Sequence, residues 1–486
     1  MDEQRVRAAV DSVVGQLRRY VPDMAPYFED DRPLGDYAKA LSAASAVAPE
    51  HAERQELIAR CVRRVLRRAF GPGGPADTVT ARDIRAVNIV DHHQLLNHPL
   101  LLGTNIIANA GRLLSGRPAP PIVTLSCSNV NPSNHYMRNG FRFRGVDIPY
   151  FSAKEHRDVM YYLPARPFDF VQRLRSLRRW SAFTPGDQDF LEEYQELLNG
   201  LDHFGCRGHR NQLAAMVHGT WPRLFSEELR PHVPDLLYAG AEDVARESLI
   251  ELLSEESYLS EALLDPAARQ RVLDTFRGVT VAWDESAGKG THFFWLRHPR
   301  RPGLLRLYVR GDALVPADER YAHLRIPLER QALREALHRE DLVPSVALYM
   351  SLLLFAGIRP LVGPGSLVYT TQLKNGWRAL LTEHGSAREA RLIDEVDVTG
   401  MIAGTPVFFE RTGTALTTCY AADVMSAGGV DESYVRTVLR TPFKDVLSVG
   451  AGGVYDLFAN SSIPRAERLT ERAGFDEAAT LVHDWV

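Results

Sequence analysis

The chain has 486 residues, 45% of them hydrophobic, enough to form two or three ordinary globular cores. A net charge of −4 and a pI near 6.5 argue against a nucleic-acid surface; arginine carries most of the positive charge, with lysine confined to Lys39, Lys154, Lys289, Lys374 and Lys444. The four cysteines, Cys61, Cys127, Cys206 and Cys419, are too scattered for a disulfide framework, and no apolar run reaches the ~18 residues of a membrane span, so a soluble cytoplasmic protein is expected.

Residues 1–80 read as a helical segment closed by "GPGGPADT". Its first stretch, "MDEQRVRAAVDSVVGQLRRY", places Val6, Val10, Val13 and Leu17 on one helical face and is no signal peptide. In "QELIARCVRRVLRRAF" the apolar positions leave Arg63, Arg64, Arg67 and Arg68 together, either a solvated stripe or an anion site. The rhythm then changes. "AVNIV" is a short β-branched run, "PLLLGTNIIANAGRLL" has helical spacing, and "PPIVTLSCS" is a second β-branched run. Strand, helix and strand at this spacing predict a βαβ unit, hence an α/β fold with a parallel sheet and a right-handed crossover.

Ligands of such sheets sit beyond the carboxyl ends of the strands. Asp91, His92, His93 and Gln94 fall at the end of the first strand; Ser126, Cys127, Ser128, Asn129 and Asn131 fall at the end of the second. Both groups are expected to face one crevice. Residues 81–166 would form the first half of this core and 167–276 a helical insertion. Residues 277–384 would form the second half, with strand candidates "GVTVAWD", "HFFWLRH" and "LLRLYVRGD". After these, "SVALYMSLLLFAGIRPLVGPG" reads as a helix running into a glycine turn. The remainder, 385–486, is mixed α/β, with "GAGGVYDLF" its glycine-rich turn.

Several motifs admit two readings. His92, His93 and His98 lack the H-E-x-x-H arrangement of a zinc helix, and His203, Cys206 and His209 have no partner cluster to supply a fourth ligand, so no metal is expected. Cys127 at a strand end is either a buried thiol or a nucleophile. "GAGG" at Gly450–Gly453 and "AGKG" ending at Gly290 match neither phosphate-loop nor dinucleotide spacing and are expected to be turns. Gly363-Pro364-Gly365 is different, because a helix starting after it would point free N–H groups at an anion.

Three segments together resemble the bacillithiol-synthesis cysteine-adding enzymes. That family has a strand and T-G-Q-Q turn before an apolar helix, a strand ending in E-D-H-D, and a later G-P-G-E-I-A-Y-x-x-Q-L-K. Here the counterparts are "VDHHQLLNHPLLLGTNII", "PIVTLSCSNVNPSNH" and "GPGSLVYTTQLK", in the same order. The third is the most specific, with Gly363, Pro364, Gly365, Tyr369, Gln372, Leu373 and Lys374 in place. The family's acids are replaced: Ser128, Asn129, Val130 and Asn131 stand for E-D-H-D, and Ser366 stands for Glu. Asn and Ser both donate and accept, so a pocket for a cationic amine becomes neutral and histidines remain as the bases.

The resemblance implies a Rossmann-like parallel core with inserted connecting segments and additional helical regions, a possible homodimer, and amide-bond formation on small-molecule substrates. The expected activity is a ligase- or transferase-like enzyme of bacterial specialised metabolism, joining an amino acid or small acid to an amine or other nucleophile with ATP or an activated acyl donor. The alternatives are a lyase, hydrolase or rearrangement enzyme using the same pocket, or a binding or scaffold protein. In the leading reading His92, His93 and Gln94 are catalytic; Asn97, Ser128, Asn129, Asn131, His135, Tyr369 and Gln372 contact substrate; and Gly363, Gly365, Ser366 and Lys374 hold an anion or nucleotide.

Overall fold

The computed structural model describes residues 3–42, 48–114, 120–201, 206 and 208–483. Its centre is a parallel sheet of five strands, β1 (Ala86–Asn88), β2 (Ile122–Ser126), β3 (Leu236–Gly240), β4 (Arg359–Val362) and β5 (Gly400–Met401), in the order β5-β4-β1-β2-β3. Ala86 stands opposite Arg359, Asn88 opposite Thr124, Ser126 opposite Gly240 and Leu361 opposite Gly400. β2 and β3 are buried at every residue, which is why both read as unbroken apolar runs. The chain steps outward from β1 to β2 and β3, then returns to the far side of β1 for β4 and β5. The strand order therefore reverses between β1 and β4.

Helices pack around this sheet in an α/β arrangement. α1 (Glu3–Tyr20) buries Val6, Val10, Val13 and Leu17, the face its spacing predicts. α2 (Pro49–Phe70) carries the arginine stripe, and the stripe is neither bare nor an anion site. α3 (Pro99–Leu113) connects β1 to β2 as expected; His98 caps it, Nδ1 accepting the Leu100 N–H at 3.3 Å, and Pro99 occupies the first turn where no N–H is required. α4 (His209–Thr220) precedes β3, and α5 (Ala241–Leu252) leaves it directly. Arg64 of α2 pairs with Glu247 at 3.0 Å and Glu251 at 2.7 Å on α5, and Arg68 also pairs with Glu247. α6 (Pro364–Glu383) follows β4, and α7 (Ala451–Ala459) packs against α1.

The connection from β3 to β4 contains a second, antiparallel sheet of Phe294–Arg297, Leu304–Arg310, Ala313–Pro316, Ile326–Pro327 and Leu342–Pro344. Among the described residues, no helix is long and apolar enough to cross a membrane.

Five expectations change. The segment 167–276 is not an all-helical insertion, because β3 lies inside it and pairs with β2 along its whole length. The segment 385–486 is not separate from the core, because it supplies β5. "IRPLV" is strand β4 rather than the tail of a helix, and "GVTVAWD" keeps only the two-residue strand Trp283–Asp284. "GAGG" is no turn; Gly450 caps α7, and Gly452 and Gly453 lie in its first turn. For β3 and β4 the cause is that short, buried apolar runs carry no periodicity that separates strand from helix. Gly450 is required sterically: a Cβ there would lie 1.5 Å from the carbonyl oxygen of Gly404, itself at φ +112°.

Candidate functional site

Beyond the carboxyl ends of β1 and β4, where the strand order reverses, a cleft of about 1170 Å³ opens. Val90 and His92 come from the end of β1, Leu101 and Thr104 from α3, and Gly363 to Ser366 with Tyr369 from the end of β4 and the first turns of α6. His135 and Tyr136 close one side. The opposite wall is C-terminal: Gly452, Gly453 and Val454 of α7, then Arg472 to Phe475. The cations at its rim are already paired, Arg5 with Glu471 at 2.8 Å and Arg472 with Asp456 at 3.0 Å.

The three histidines of the first motif part company here. Beyond β1 the backbone stays extended: the Cys127 N–H donates to the Asp91 carbonyl and the His93 N–H to the Cys127 carbonyl, both at 2.8 Å. Successive side chains of an extended chain point to opposite sides. Asp91 and His93 therefore turn into the core and His92 turns into the cleft. The His92 ring packs edge-on against Tyr136 at 4.9 Å between centroids, and its Nδ1 has no hydrogen-bond partner. Burial lowers its pKa from 6.5 to about 4, so the imidazole is neutral at physiological pH. His98, the helix cap, lies within 5.1 Å of Tyr136 and 5.3 Å of His135, forming an aromatic floor.

His93 is 1% exposed, and both of its nitrogens are used. Nε2 contacts the carbonyl oxygen of Arg210 at 2.5 Å; a carbonyl only accepts, so Nε2 carries the hydrogen and Nδ1 accepts from the Ser126 hydroxyl at 2.6 Å. Such a ring is not free to take a substrate proton, so His93 is a packing residue. Gln94 is also buried, and neither end of its amide has a partner. Asn97 joins two loops, donating to the Tyr136 carbonyl at 3.1 Å and accepting the Arg142 N–H at 3.0 Å. Asn131 donates to the Asp158 carbonyl at 2.6 Å. Asn97 thereby holds Tyr136 in the cleft wall, while Asn131 ties down a loop that does not line the cleft.

The second motif lies beneath the cleft and not in it. Ser128 donates through its N–H and its hydroxyl to the Glu242 carboxylate at 2.9 and 2.7 Å, and the Asn129 N–H donates to the same group at 3.0 Å. Glu242 is thus a buried acid supplied from a different strand end, close to the place where the resemblance has its acids replaced. Cys127 donates to Glu242 at 3.3 Å, and burial, with the carboxylate beside it, pushes the thiol well up. It is a protonated thiol and no nucleophile. The adjacent Asp243 is held by Arg210 at 2.8 Å and Arg246 at 3.1 Å, and Asp91 accepts from Thr104, Asn105 and Tyr238.

In the third motif Gly363 caps a helix that starts at Pro364 in the cleft wall, with the Ser366 N–H donating to the Gly363 carbonyl at 3.0 Å, and the distal residues lie elsewhere. Tyr369 donates to the Ser366 hydroxyl at 2.7 Å, and burial raises its phenol to about 12. Gln372 is exposed outside the cleft. Lys374 lies about 15 Å along the helix from Pro364 at ~1.5 Å per residue. Its ammonium is held by the carbonyls of Asp394 at 2.7 Å and Val396 at 2.8 Å, so it clamps the next helix and cannot reach an anion at Gly363.

In the zinc candidate, His203 lies outside the described residues, and His209 is buried with Nδ1 against the Gln212 amide at 2.8 Å. Among the described residues, no group of three or more His, Cys, Asp or Glu is placed to hold a metal ion. Thr104, Tyr136 and the Gly452–Gly453 wall were not anticipated. Applying the strand-end rule to "LLYAG" would have found Glu242 and Asp243, had that run been read as a strand. Compared with known proteins, the chain matches no family model, no curated protein and no solved structure.

Proposed function

We propose that the chain is a small-molecule enzyme whose cleft between β1 and β4 joins an amino acid or related acid to an amine or other nucleophile. The observation that carries this reading is convergence: His92 of the first motif and the Gly363–Ser366 corner of the third, about 270 residues apart in sequence, line one cavity at the reversal of strand order. The order itself is that of doubly wound dinucleotide-binding sheets and supports a Rossmann-like core. The resemblance to the cysteine-adding enzymes supports the reaction class. Cys61, Cys127 and Cys419 form no disulfide, which favours a reducing, cytoplasmic setting.

In this reading the His92 imidazole, which lines the cleft, takes the proton of the attacking nucleophile. The oxyanion that develops on the acyl carbon faces the start of α6 and the hydroxyl pair Ser366–Tyr369. The acyl group arrives already activated, for example as a thioester; as the tetrahedral intermediate collapses its C–S bond breaks, and the departing thiolate takes the proton from His92. Among the described residues Lys374 is clamped and the rim arginines Arg5 and Arg472 are already paired with acids, which favours an activated acyl donor over a triphosphate in this cleft.

The test is a mass-spectrometric screen of amino acid and amine pairs, with acyl thioesters in one arm and ATP in the other. Condensation is expected in the thioester arm and lost in His92→Ala. A product formed with ATP and the free acid would overturn the activation step. Breakdown or rearrangement of a single substrate, without condensation in either arm, would replace the joining reaction with a lyase or hydrolase.

A further inference from the structure

A second cavity, of about 720 Å³, lies on the antiparallel sheet and has a different electrostatic character. Its rim is the hairpin "RHPRRPG" between strands Phe294–Arg297 and Leu304–Arg310, with His323 and Arg325 facing it from the Ile326–Pro327 side. Four arginines, Arg297, Arg300, Arg301 and Arg325, line it against a single carboxylate, Asp341, which is bonded to Arg339 at 2.7 Å. Among the described residues Arg297, Arg300 and Arg301 form no ion pair; Arg325 pairs with Asp312 at 3.3 Å. In a chain of net charge −4, where most arginines are matched with acids, three unmatched ones around one concavity form a strong local positive field.

The cluster is also braced. The Arg297 guanidinium lies over the Tyr162 ring, 5.0 Å from its centroid, and the Tyr162 hydroxyl is fixed to the Glu340 carbonyl at 2.8 Å. The hairpin is closed by the His298 N–H donating to the Gly303 carbonyl at 2.8 Å, and His298 Nδ1 accepts the Arg300 N–H at 3.1 Å. Arg301 donates to the Arg157 carbonyl at 3.1 Å. Burial and the neighbouring arginines hold the His298 pKa below its ordinary value. The floor is apolar, from Leu296, Leu324 and Ile326.

We propose that this pocket binds a phosphate-rich small molecule of nucleotide size, its phosphates gripped by Arg297, Arg300 and Arg301 and its organic part resting on the apolar floor beside Tyr162. Guanidinium groups suit this role because their forked donors match phosphate oxygens two at a time. The site is separate from the cleft at β1 and β4 and does not depend on the reaction proposed for it.

Calorimetry on the full chain with pyrophosphate, AMP and ATP tests the proposal. Binding that strengthens with phosphate number is expected, weakened at least tenfold in R297A/R300A/R301A and unchanged in His92→Ala. R300A alone, at an exposed hairpin position, should weaken it about threefold, which keeps the test sound if the triple variant fails to fold. Absence of heat with pyrophosphate and ATP, or undiminished binding in R300A and the triple variant, would overturn the assignment. Binding of a single-stranded oligonucleotide tenfold tighter than ATP through the same arginines would replace the small ligand with a nucleic acid.

Discussion

His92 and His93 are neighbours in the chain and belong to different regions of the molecule. One lines a cleft, and the other is sealed between Ser126 and the Arg210 carbonyl. The same division separates the glycine corner, which lines the cleft, from Ser128 and Asn129, which are tied to Glu242. In residue type the two regions are alike; they differ in which polar groups are already satisfied. A buried polar group with all its partners stabilises the fold, whereas one with a free lone pair beside a cavity is available for chemistry.

The largest effect should come from His92→Ala. A positioned base contributes about 10²–10⁴-fold, so turnover in the condensation assay should fall by that factor while circular dichroism and the thermal midpoint stay near those of the parent. Equal activity in the folded variant would erase the distinction between the two histidines. His93→Ala should act in the opposite sense, lowering unfolding free energy by about 2–4 kcal/mol through loss of two buried hydrogen bonds and the cavity left behind. Its residual folded fraction should keep its turnover per active molecule. Next comes Gly450→Ala, where the added methyl must displace the Gly404 carbonyl; a loss of about 1–3 kcal/mol is expected by denaturant titration. Lys374→Met should cost about 1 kcal/mol and leave catalysis unchanged, and a selective loss of turnover would return Lys374 to the site.

The comparison also predicts a pH profile. Both rings have folded pKa values near 4, against an ordinary value of 6.5. The unfolded chain takes up these protons first, so the stability contributed by the neutral rings is complete above about pH 6.5 and declines as pH falls towards 4. Replacing His93 by Phe should flatten that decline in thermal melts. Catalysis should show no acid limb at 6.5, because His92 stays neutral well below it; a sharp loss of turnover centred near 6.5 would mean the ring is solvated in the working enzyme.

Much of the site was legible. The β-branched runs around 86–90 and 122–126, the helix between them and the rule that ligands gather at carboxyl strand ends located one side of the cleft. The glycine corner located the other. The roles within each motif were less legible, because Asn97, Asn131 and Lys374 look like ligand contacts in the letters and prove to be braces for loops and helices.

The sequence by itself determined the α/β character, the βαβ unit and the residue types at the strand ends, since these follow from local periodicity and composition. Only the tertiary structure decided that "LLYAG" and "IRPLV" are sheet strands, that Glu242 reaches back to Ser128, and that residues 452–475 wall the cleft. Those outcomes depend on pairings between segments hundreds of residues apart. A fully buried run carries no mark of which neighbour will cover it, and a polar side chain carries none of whether its partner will be solvent, substrate or another part of its own chain.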